Sequence, residues 1–426
     1  MRSNVARLAA TFVFAACFVL APARPVSAQG APAWAQGAVH SGKVVIPDSS
    51  IERPEDVGHR AHTNHVIFLR GNGGGGVTIP TPSGETPSSL GCVYQIVGPL
   101  TNGCPVRYDN SMPNPSGGYG VIAIVDAYDY PTAENDLNVF SNQFGLPACT
   151  TANGCFKLVY ASGKKPRANC GWAQEAALDI EWAHAMAPNA KIVLVEAASN
   201  SFADLLKAVD VAFNEIKNAG SGTGQVSMSW GGSEFSSETG YDSHFAKTGV
   251  VFFAASGDTG GKTIYPGTSP YVVAAGGTTV NRDAQGNFVS ETAWSGSGGG
   301  PSAYELRPSY QNVIVSTVGS QRGVPDFSFD ANPSTGVSVY DSTSCQGLSG
   351  WLTFGGTSVS SPSLAGIVNL LGSRNSSSTN ELLMIYGNLG SANFNDITSG
   401  TAGSYSAVPG WDFVTGVGSN KGFDGK

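Results

Sequence analysis

From Tyr119 onward, short apolar runs alternate with amphipathic stretches, and this alternation restricts the fold more than any other feature of the chain. Five runs are rich in apolar and β-branched residues, as in strands buried on both faces: GVIAIVDAY, KIVLVEA, QVSMSW, GVVFFAAS and PYVVAAGG. Between them, QEAALDIEWAHAMA and FADLLKAVDVAFNEIKNA have apolar residues at helical spacing. The pattern predicts an α/β fold with a mostly parallel central sheet flanked by helices, whose functional groups lie at the carboxyl ends of the strands.

Residues 1–28 have the pattern of a secretory signal peptide. Arg2 and Arg7 precede an apolar run, and a small-x-small cleavage site follows at 26–28. We expect cleavage after Ala28, because an uncleaved anchor helix would need an apolar run of about 20 residues, and this one is shorter. The mature chain is therefore expected to be secreted, to the extracellular space or a periplasm, without further membrane contact.

Residues 29–117 differ in character from the rest. They are rich in Gly, Pro, Ser and Asn, include a glycine-rich stretch at 71–76, and show little periodicity apart from the apolar run 65–69. This composition is typical of loops, so we interpret the segment as a short propeptide, leader or linker. The formal net charge of −8 gives no reason to expect a nucleic-acid partner.

Six cysteines remain beyond the signal peptide, and an even number in an exported chain indicates disulfides. The short spacings favour two local pairs and leave one long-range pair: Cys92–Cys104, Cys149–Cys155 and Cys170–Cys345. This is one of fifteen possible pairings. A zinc site is the alternative, but no Cys-x-x-Cys motif or clustering of Cys with His supports it.

The segment FGGTSVSSPSLAGIVNLLG joins a glycine-rich turn to an apolar helix, with Ser358 at the turn. Pro362 is expected in the first helical turn, where its missing N–H costs nothing. A serine at a helix N-terminus lies in a positive field, which suits a nucleophile whose attack builds negative charge nearby. The alternative is that Thr357 or Ser358 simply caps the helix.

Glu175 and Asp179 are four residues apart on a predicted helix, so their Cβ atoms lie about 5–6 Å apart on one face. The neighbouring Ala, Leu, Ile and Trp residues indicate that this helix is mostly buried. Buried carboxyl groups without a Lys or Arg partner usually share protons. A solvated acidic face is the alternative, and the two residues alone do not decide between them.

Taken together, these segments resemble the sedolisin family of serine-carboxyl peptidases. GTSVSSPSLAG is similar to the nucleophile motif that sedolisins share with subtilisins, and Glu-x-x-x-Asp followed by Ala-Pro and a strand is similar to the sedolisin acid pair. The resemblance covers residues 118–426 and implies a subtilisin-like catalytic domain that hydrolyses peptide bonds. It implies that Glu175 takes the Ser358 proton and returns it to the leaving amine, and that Asp179 orients Glu175.

Asp258 ends the sequence Ser-Gly-Asp after a buried apolar run, a position usually held by a turn residue. The family resemblance instead assigns Asp258 to the oxyanion hole, where it must be protonated to donate a hydrogen bond. A carboxylate base in water has a pKa of about 4. Together these implied roles predict an acidic pH optimum.

A subtilisin would need a His-Gly-Thr motif before the serine, and no histidine of this chain is followed by Gly-Thr. Four histidines fall in or near residues 29–117, in contexts typical of solvated loops: His40, His59, His62 and His65. His184 lies in a predicted helix and is expected to be a surface or packed residue. A subtilisin-type peptidase with an unrecognised histidine, and an inactive calcium-stabilised secreted binding module, remain the alternatives.

The family resemblance also implies a substrate strand and a metal site. Ser229, Trp230 and Gly231 are similar to the strand whose backbone binds the substrate, although Trp230 could equally be a core residue. Asp126 lies near the place of an additional acid in some family members. FNDITSG and VPGWDFVTGVG resemble the family's Ca²⁺ site, which implies five oxygen ligands here, from the side chains of Asp396 and Asp412 and the carbonyls of Ile397, Val408 and Gly410.

Two ordinary turn aspartates are the alternative to the calcium site.

Sedolisins usually carry a folded prodomain that is longer than residues 29–117. This segment is therefore either a reduced propeptide that is removed by self-cleavage, or the enzyme needs no propeptide. We expect protein or peptide substrates and a monomeric protein.

Overall fold

A ten-stranded sheet organises the computed structural model, which describes residues 42–70, 77–219, 221–372 and 376–426. The signal peptide predicted at residues 1–28 lies outside the described residues. In chain order the described strands are β1 (Gly42–Val45), β2 (His62–Thr63), β3 (Val66–Arg70), β4 (Val77–Ile79), β5 (Val121–Ala127), β6 (Phe156–Tyr160), β7 (Lys191–Ala197), β8 (Gly224–Met228), β9 (Trp230–Ser233), β10 (Val250–Ala255), β11 (Ile264–Tyr265), β12 (Val273–Arg282), β13 (Phe288–Ala293), β14 (Gly300–Leu306), β15 (Gln321–Val324), β16 (Phe327–Asp330), β17 (Val337–Cys345), β18 (Leu348–Gly355), β19 (Phe394–Asn395), β20 (Thr401–Ala402), β21 (Tyr405–Ser406) and β22 (Ser419–Asn420).

The α-helices of the same residues are α1 (Pro87–Val93), α2 (Ala133–Phe144), α3 (Cys170–Met186), α4 (Phe202–Asn218), α5 (Val315–Val318), α6 (Thr357–Leu370) and α7 (Ser378–Gly387). Short 3-10 helices lie at Asp48–Ser50, Pro54–Asp56, Glu238–His244 and Ser309–Ile314. In the described part of the chain, no helix is long and apolar enough to cross a membrane.

The strand order of the main sheet is β19-β22-β16-β12-β10-β8-β5-β7-β6, with β13 paired to β12. Neighbouring strands from β22 to β6 run parallel, while β13 and β19 are antiparallel. The predicted α/β fold with a mostly parallel sheet is therefore confirmed. Parallel strands align their carboxyl ends at one edge, and β5, β8 and β10 are neighbours there.

Alternation along the strands buries both faces of this sheet. In β5, Ile122 and Ile124 contribute to the hydrophobic core that also contains residues of α3 and α6. Val121, Ala123 and Val125 point the other way and join the core that contains α4. This two-sided burial explains why the strands read as continuous apolar runs in the sequence.

The described residues before 118 form strands and a helix that pack with the rest of the fold, although the sequence shows little periodicity there. The interpretation of residues 29–117 as a short propeptide, leader or linker stays a prediction. β3 lies between β1 and β18 in a second sheet, and α1 is buried throughout. One of the two partners of β3, namely β18, lies nearly 300 residues further along the chain, and the sequence around β3 shows no hairpin pattern. The domain boundary at residue 118 stays a prediction.

All three predicted disulfides are present, with sequence separations of 12, 6 and 175 residues respectively: Cys92–Cys104, Cys149–Cys155 and Cys170–Cys345. The long-range bridge joins the start of α3 to the end of β17. It therefore fixes the helix that carries Glu175 and Asp179 against the second sheet.

Candidate active site

Helix α3 carries the predicted acid pair inside the protein. It begins at Cys170, where the Asn169 side chain caps it by accepting the N–H groups of Gly171 and Trp172, each at 3.1 Å. Glu175 and Asp179 lie one turn apart and are both fully buried. The expectation of a mostly buried helix is confirmed, and the alternative of a solvated acidic face is excluded.

A third acid joins this pair. Asp126, near the carboxyl end of β5, is buried, and neither of its carboxyl oxygens has a hydrogen-bond partner among the described residues. Burial, and then the charges of Glu175 and Glu196, raise the pKa of Asp126 well above its usual range. Burial, and then the charges of Asp126 and Glu175, do the same to the pKa of Asp179. The three acids therefore share fewer than three negative charges near neutral pH.

Ser358 is the second residue of α6, which starts directly after β18. The turn between them is made by Gly356, with φ +98°, and α6 has no side-chain cap, so neither Thr357 nor Ser358 acts as one. Pro362 is the sixth helical residue and not in the first turn, contrary to expectation. Its missing N–H leaves the Ser358 carbonyl without its usual i+4 donor, and the Ser229 hydroxyl lies 3.3 Å from that carbonyl oxygen.

Ser229 joins the acid pair to the nucleophile. Its hydroxyl donates to Asp179 Oδ1 at 2.7 Å, and its carbonyl accepts the Ser358 hydroxyl at 3.3 Å. Gly231, two residues on in β9, pairs through its backbone with His62 of β2. The Trp230 side chain is fully buried and donates to the Val125 carbonyl at 2.8 Å, so the core interpretation is correct for this side chain.

Asp258 follows β10 and faces the start of α6. Its Oδ1 accepts the backbone N–H and the hydroxyl of Thr357, at 2.7 and 2.8 Å. Its Oδ2 is buried without a partner among the described residues. Burial raises the pKa of Asp258 to about 8, although the hydrogen bonds from Thr357 oppose this shift. The carboxyl group is therefore protonated in acid, and its free oxygen can donate a hydrogen bond there.

Sequence reasoning missed His65. Its Nδ1 lies 2.9 Å from Glu175 Oε2, and both side chains are fully buried, so the expected solvated loop is wrong for this residue. The only signal was the apolar run that follows it, which becomes β3. His184, in contrast, is packed as expected, with Nε2 2.9 Å from the Pro147 carbonyl oxygen.

Four of the predicted calcium ligands form two contacting pairs near the C-terminus, Asp396 with Gly410 and Asp412 with Val408. The exposed Asp396 carboxylate accepts the N–H of Gly410 at 3.0 and 3.2 Å, and the buried Asp412 carboxylate accepts the N–H of Val408 at 3.3 Å. Ile397 is buried beside Asp396. Two carboxylates converging on one short loop are a donor set that suits a hard cation. Burial raises the pKa of Asp412, a cost that a bound cation would offset.

This chain resembles known proteins in sequence. Residues 163–418 match the model of the subtilase family. The chain belongs to the subtilase family. Among subtilases it is 36% identical to kumamolisin of Bacillus sp. (strain MN-32) over 280 residues, 58% of this chain and 49% of kumamolisin. It is 35% identical to sedolisin of Pseudomonas sp. (strain 101) over 205 residues, 41% of this chain and 34% of sedolisin.

These relatives confirm the resemblance to sedolisins, and the chain spans about half the length of kumamolisin and about a third of that of sedolisin. The structure of Pseudomonas sedolisin, described as a serine-carboxyl proteinase, covers 80% of this subtilase at 23% identity with a TM-score of 0.63. Sphericase also covers 80%, at 18% identity and a TM-score of 0.50. Both structural matches confirm the subtilisin-like fold.

Proposed function

We propose that this subtilase is a secreted serine-carboxyl endopeptidase that hydrolyses protein or peptide substrates in acid through an acyl-enzyme on Ser358. The observation that carries the proposal is the double role of Ser229. Its hydroxyl binds Asp179 and its carbonyl binds the Ser358 hydroxyl, so residues from three separate parts of the chain meet in one buried place. Among the residues that the structure describes, no Lys or Arg is a hydrogen-bond partner of these groups, which favours acid chemistry.

In this mechanism Glu175 acts as the general base for Ser358 and later returns the proton to the leaving amine. Asp179 holds a proton in the acid cluster and positions Glu175 from one helical turn away. The Ser358 N–H and the protonated Asp258 carboxyl group stabilise the oxyanion. Because burial raises the pKa of Asp258 to about 8, this group is in its neutral donor form throughout the acidic range.

The test measures hydrolysis of a denatured protein at pH 4 and pH 7 by the wild type and by Ser358→Ala and Glu175→Gln. We expect higher activity at pH 4 and its loss in both variants. Glu181→Gln is the matched control, because Glu181 lies on the same helix, is equally buried and instead accepts the Tyr340 N–H at 3.0 Å. Burial raises the pKa of Glu181 well above its usual range, so the neutral amide resembles its state at pH 4.

Three other outcomes would contradict the proposal. Undiminished hydrolysis by Ser358→Ala or Glu175→Gln would exclude the mechanism. Higher activity at pH 7 that disappears in His65→Gln would favour a histidine-dependent subtilisin, because His65 contacts Glu175. A folded wild-type protein without activity at either pH would favour the calcium-stabilised binding module.

We propose further that the C-terminal loop binds one structural Ca²⁺ ion. Asp396 and Asp412 would supply carboxylates, and Ile397, Val408 and Gly410 would supply carbonyls. Calcium should then raise the midpoint of thermal unfolding and a chelator should lower it, with both responses lost in Asp396→Asn. Asp109→Asn is the control, because Asp109 is exposed and lies far from this loop in the sequence. An unchanged midpoint with calcium and chelator would refute the site.

Secretion, signal removal after Ala28 and a monomeric state complete the proposal. Three disulfides support an oxidising destination, because such bonds persist outside the reducing cytosol. N-terminal sequencing of protein recovered from the culture medium or periplasm tests the first two points. Light scattering of the purified protein tests the third.

A further inference from the structure

The backbone of residues 60–64 marks the path that a substrate backbone takes through the site. Within this segment β2 pairs antiparallel with β9, which is a general mode of peptide recognition. The Asn64 N–H donates to the Ser229 carbonyl, and the Asn64 carbonyl accepts the Ser358 N–H, both at 3.1 Å. Because the Ser358 N–H is one of the oxyanion donors assigned above, the Asn64 carbonyl lies at the position of a carbonyl under attack.

Asn200 binds the opposite edge of the same segment. Counted back from Asn64 as the first residue, Ala61 holds the position of the fourth substrate residue before the cleaved bond. The Ala61 N–H donates to the backbone carbonyl of Asn200 at 2.9 Å, and Asn200 Nδ2 donates to the Ala61 carbonyl at 2.7 Å. Asn200 therefore binds both backbone groups at this position. The contact depends on how far a substrate extends and not on its side chain.

The Tyr128 hydroxyl determines which way the Asn200 amide points. It donates to Asn200 Oδ1 at 2.8 Å, and Arg167 Nη2 lies 3.5 Å from the hydroxyl oxygen as the donor on its other side. With Oδ1 accepting from Tyr128, the Nδ2 group faces the segment and donates to the carbonyl there. An amide turned the other way would place its oxygen against the Ala61 carbonyl, and two acceptors repel each other.

Tyr128 has an unusual backbone conformation directly after β5. Its φ of +69° is uncommon for a residue other than glycine. The Arg167 guanidinium lies 5.1 Å from the centre of the Tyr128 ring, and the Trp172 ring packs edge to face at 6.2 Å between ring centres. Such a conformation costs free energy and persists where the surroundings fix it, often at functional sites. These contacts hold the hydroxyl of Tyr128 against Asn200.

Backbone contacts on this edge continue further from the cleaved bond. Arg60 forms a bridge with Ser201, and the Phe202 N–H donates to the His59 carbonyl at 3.0 Å. Residues 200–202 therefore bind the fourth, fifth and sixth positions. A peptidase that releases tripeptides from a chain end would leave all three positions empty.

We propose that Asn200 is a substrate-binding residue that holds both backbone groups of the fourth residue before the cleaved bond, and that Tyr128 positions it. This inference rests on the proposed peptidase function. It makes the substrate class extended chains that are cut at internal bonds. Asn200 contacts the substrate directly, whereas Tyr128 acts through Asn200.

The test compares three peptides at pH 4 that share the three residues before the cut and a chromogenic group after it. The first has a free amine, the second carries an acetyl group on that amine, and the third has an acetylated fourth residue. The acetyl group supplies the carbonyl that Asn200 Nδ2 binds, and the fourth residue adds the N–H that the Asn200 carbonyl binds. Because a net hydrogen bond is worth about fivefold in binding, we expect kcat/KM of the wild type to rise about fivefold at each step.

Asn200→Ala removes the side-chain amide and keeps the backbone carbonyl. We therefore expect it to lose the first increase, from free to acetylated tripeptide, and to keep the second. Tyr128→Phe removes only the hydroxyl and should reduce the first increase to a smaller extent. Asn138→Ala is the matched control and should show both increases, because Asn138 is also half-buried and its Nδ2 donates to the Glu134 carbonyl at 2.6 Å, within α2.

The results separate the inference from the proposed function. Equal kcat/KM for the three peptides in wild type that hydrolyses a denatured protein overturns the inference alone. An undiminished first increase in Asn200→Ala does the same, as does a loss by one common factor for all three peptides, since that is the mark of a general structural role. Folded wild type that hydrolyses neither the peptides nor the denatured protein overturns the proposed function and the inference with it.

Discussion

At the scale of single residues, Asp258 shows how one carboxyl group can serve two purposes. Its Oδ1 accepts two hydrogen bonds from Thr357, which fixes the group, while its Oδ2 has no hydrogen-bond partner in the described part of the chain. A carboxylate would repel a developing oxyanion, but a protonated acid donates to it. Because burial raises the pKa of Asp258 to about 8, the donor form persists through the whole acidic range.

Replacing Asp258 separates these purposes. Asp258→Ala removes the donor and is expected to lower kcat by about 10²- to 10³-fold. Asp258→Asn keeps both an acceptor for Thr357 and a neutral donor, so it should retain much more activity. Steady-state kinetics on a peptide substrate at pH 4 measures both variants. Equal activity of Asp258→Ala and wild type would remove Asp258 from the mechanism.

Residues of the site differ in how well the sequence predicts them. Glu175 and Asp179 are predictable because four-residue spacing and apolar neighbours are local signals of a buried helical face. His65 and Asn64 are not, because they lie 110 and 111 residues before their partner Glu175. Their places depend on strand pairing across the chain, for which no short-range pattern exists.

At the scale of elements, the sharp turn from β18 into α6 sets the position of Ser358. Gly356 has φ +98°, a conformation that other residues rarely adopt, and an added Cβ would collide with the Asn64 carbonyl, Asp258 and the His65 backbone. Gly356→Ala should therefore lower both activity and stability. Thermal unfolding and peptide hydrolysis measure the two effects, and wild-type values for both would contradict this account of the turn.

The disulfides offer a matched comparison between elements. Cys170–Cys345 closes a loop with a separation of 175 residues and ties α3 to β17, whereas Cys149–Cys155 closes one of 6. Longer loops lose more entropy in the unfolded chain when they are closed. Replacing Cys170 and Cys345 by Ser should therefore lower the free energy of unfolding by about 2–5 kcal/mol, and more than the same change at the short bridge. Urea unfolding of both variants at one pH is the measurement, and a larger loss at the short bridge would contradict it.

The element scale also shows where composition misleads. The alternation from Tyr119 onward predicted the sheet and its helices correctly, because each strand and helix carries its own periodicity. Residues 42–117 lack that periodicity, and their glycines and prolines indicated a loop. The described residues among them nevertheless fold, because β3 gains its partners β1 and β18 only in the assembled sheet, where its apolar residues Val66, Ile67 and Phe68 become buried.

At the scale of the whole molecule, buried carboxyl groups outside the site share one property. Burial raises the pKa of Glu196 and of Glu305 to about 8, of Glu238 to about 9 and of Asp341 to about 7. In the unfolded chain such groups have a pKa of about 4. Between pH 4 and 8 the folded protein therefore binds more protons than the unfolded chain, and its stability falls as the pH rises.

We accordingly expect a higher urea midpoint at pH 4 than at pH 8, measured on Ser358→Ala so that no self-cleavage intervenes. Each proton held only by the folded state contributes about 1.4 kcal/mol per pH unit. Burial lowers the pKa of His184, which opposes this trend below about pH 6.5, but it is one group against several acids.

Glu238→Gln should flatten the pH dependence of the urea midpoint, because the amide does not titrate. Glu55→Gln, at an exposed position, is the control. Equal midpoints at the two pH values would mean that these acids ionise in the folded protein without lowering its free energy of unfolding. The buried acids would then give no structural reason for an enzyme that works only in acid.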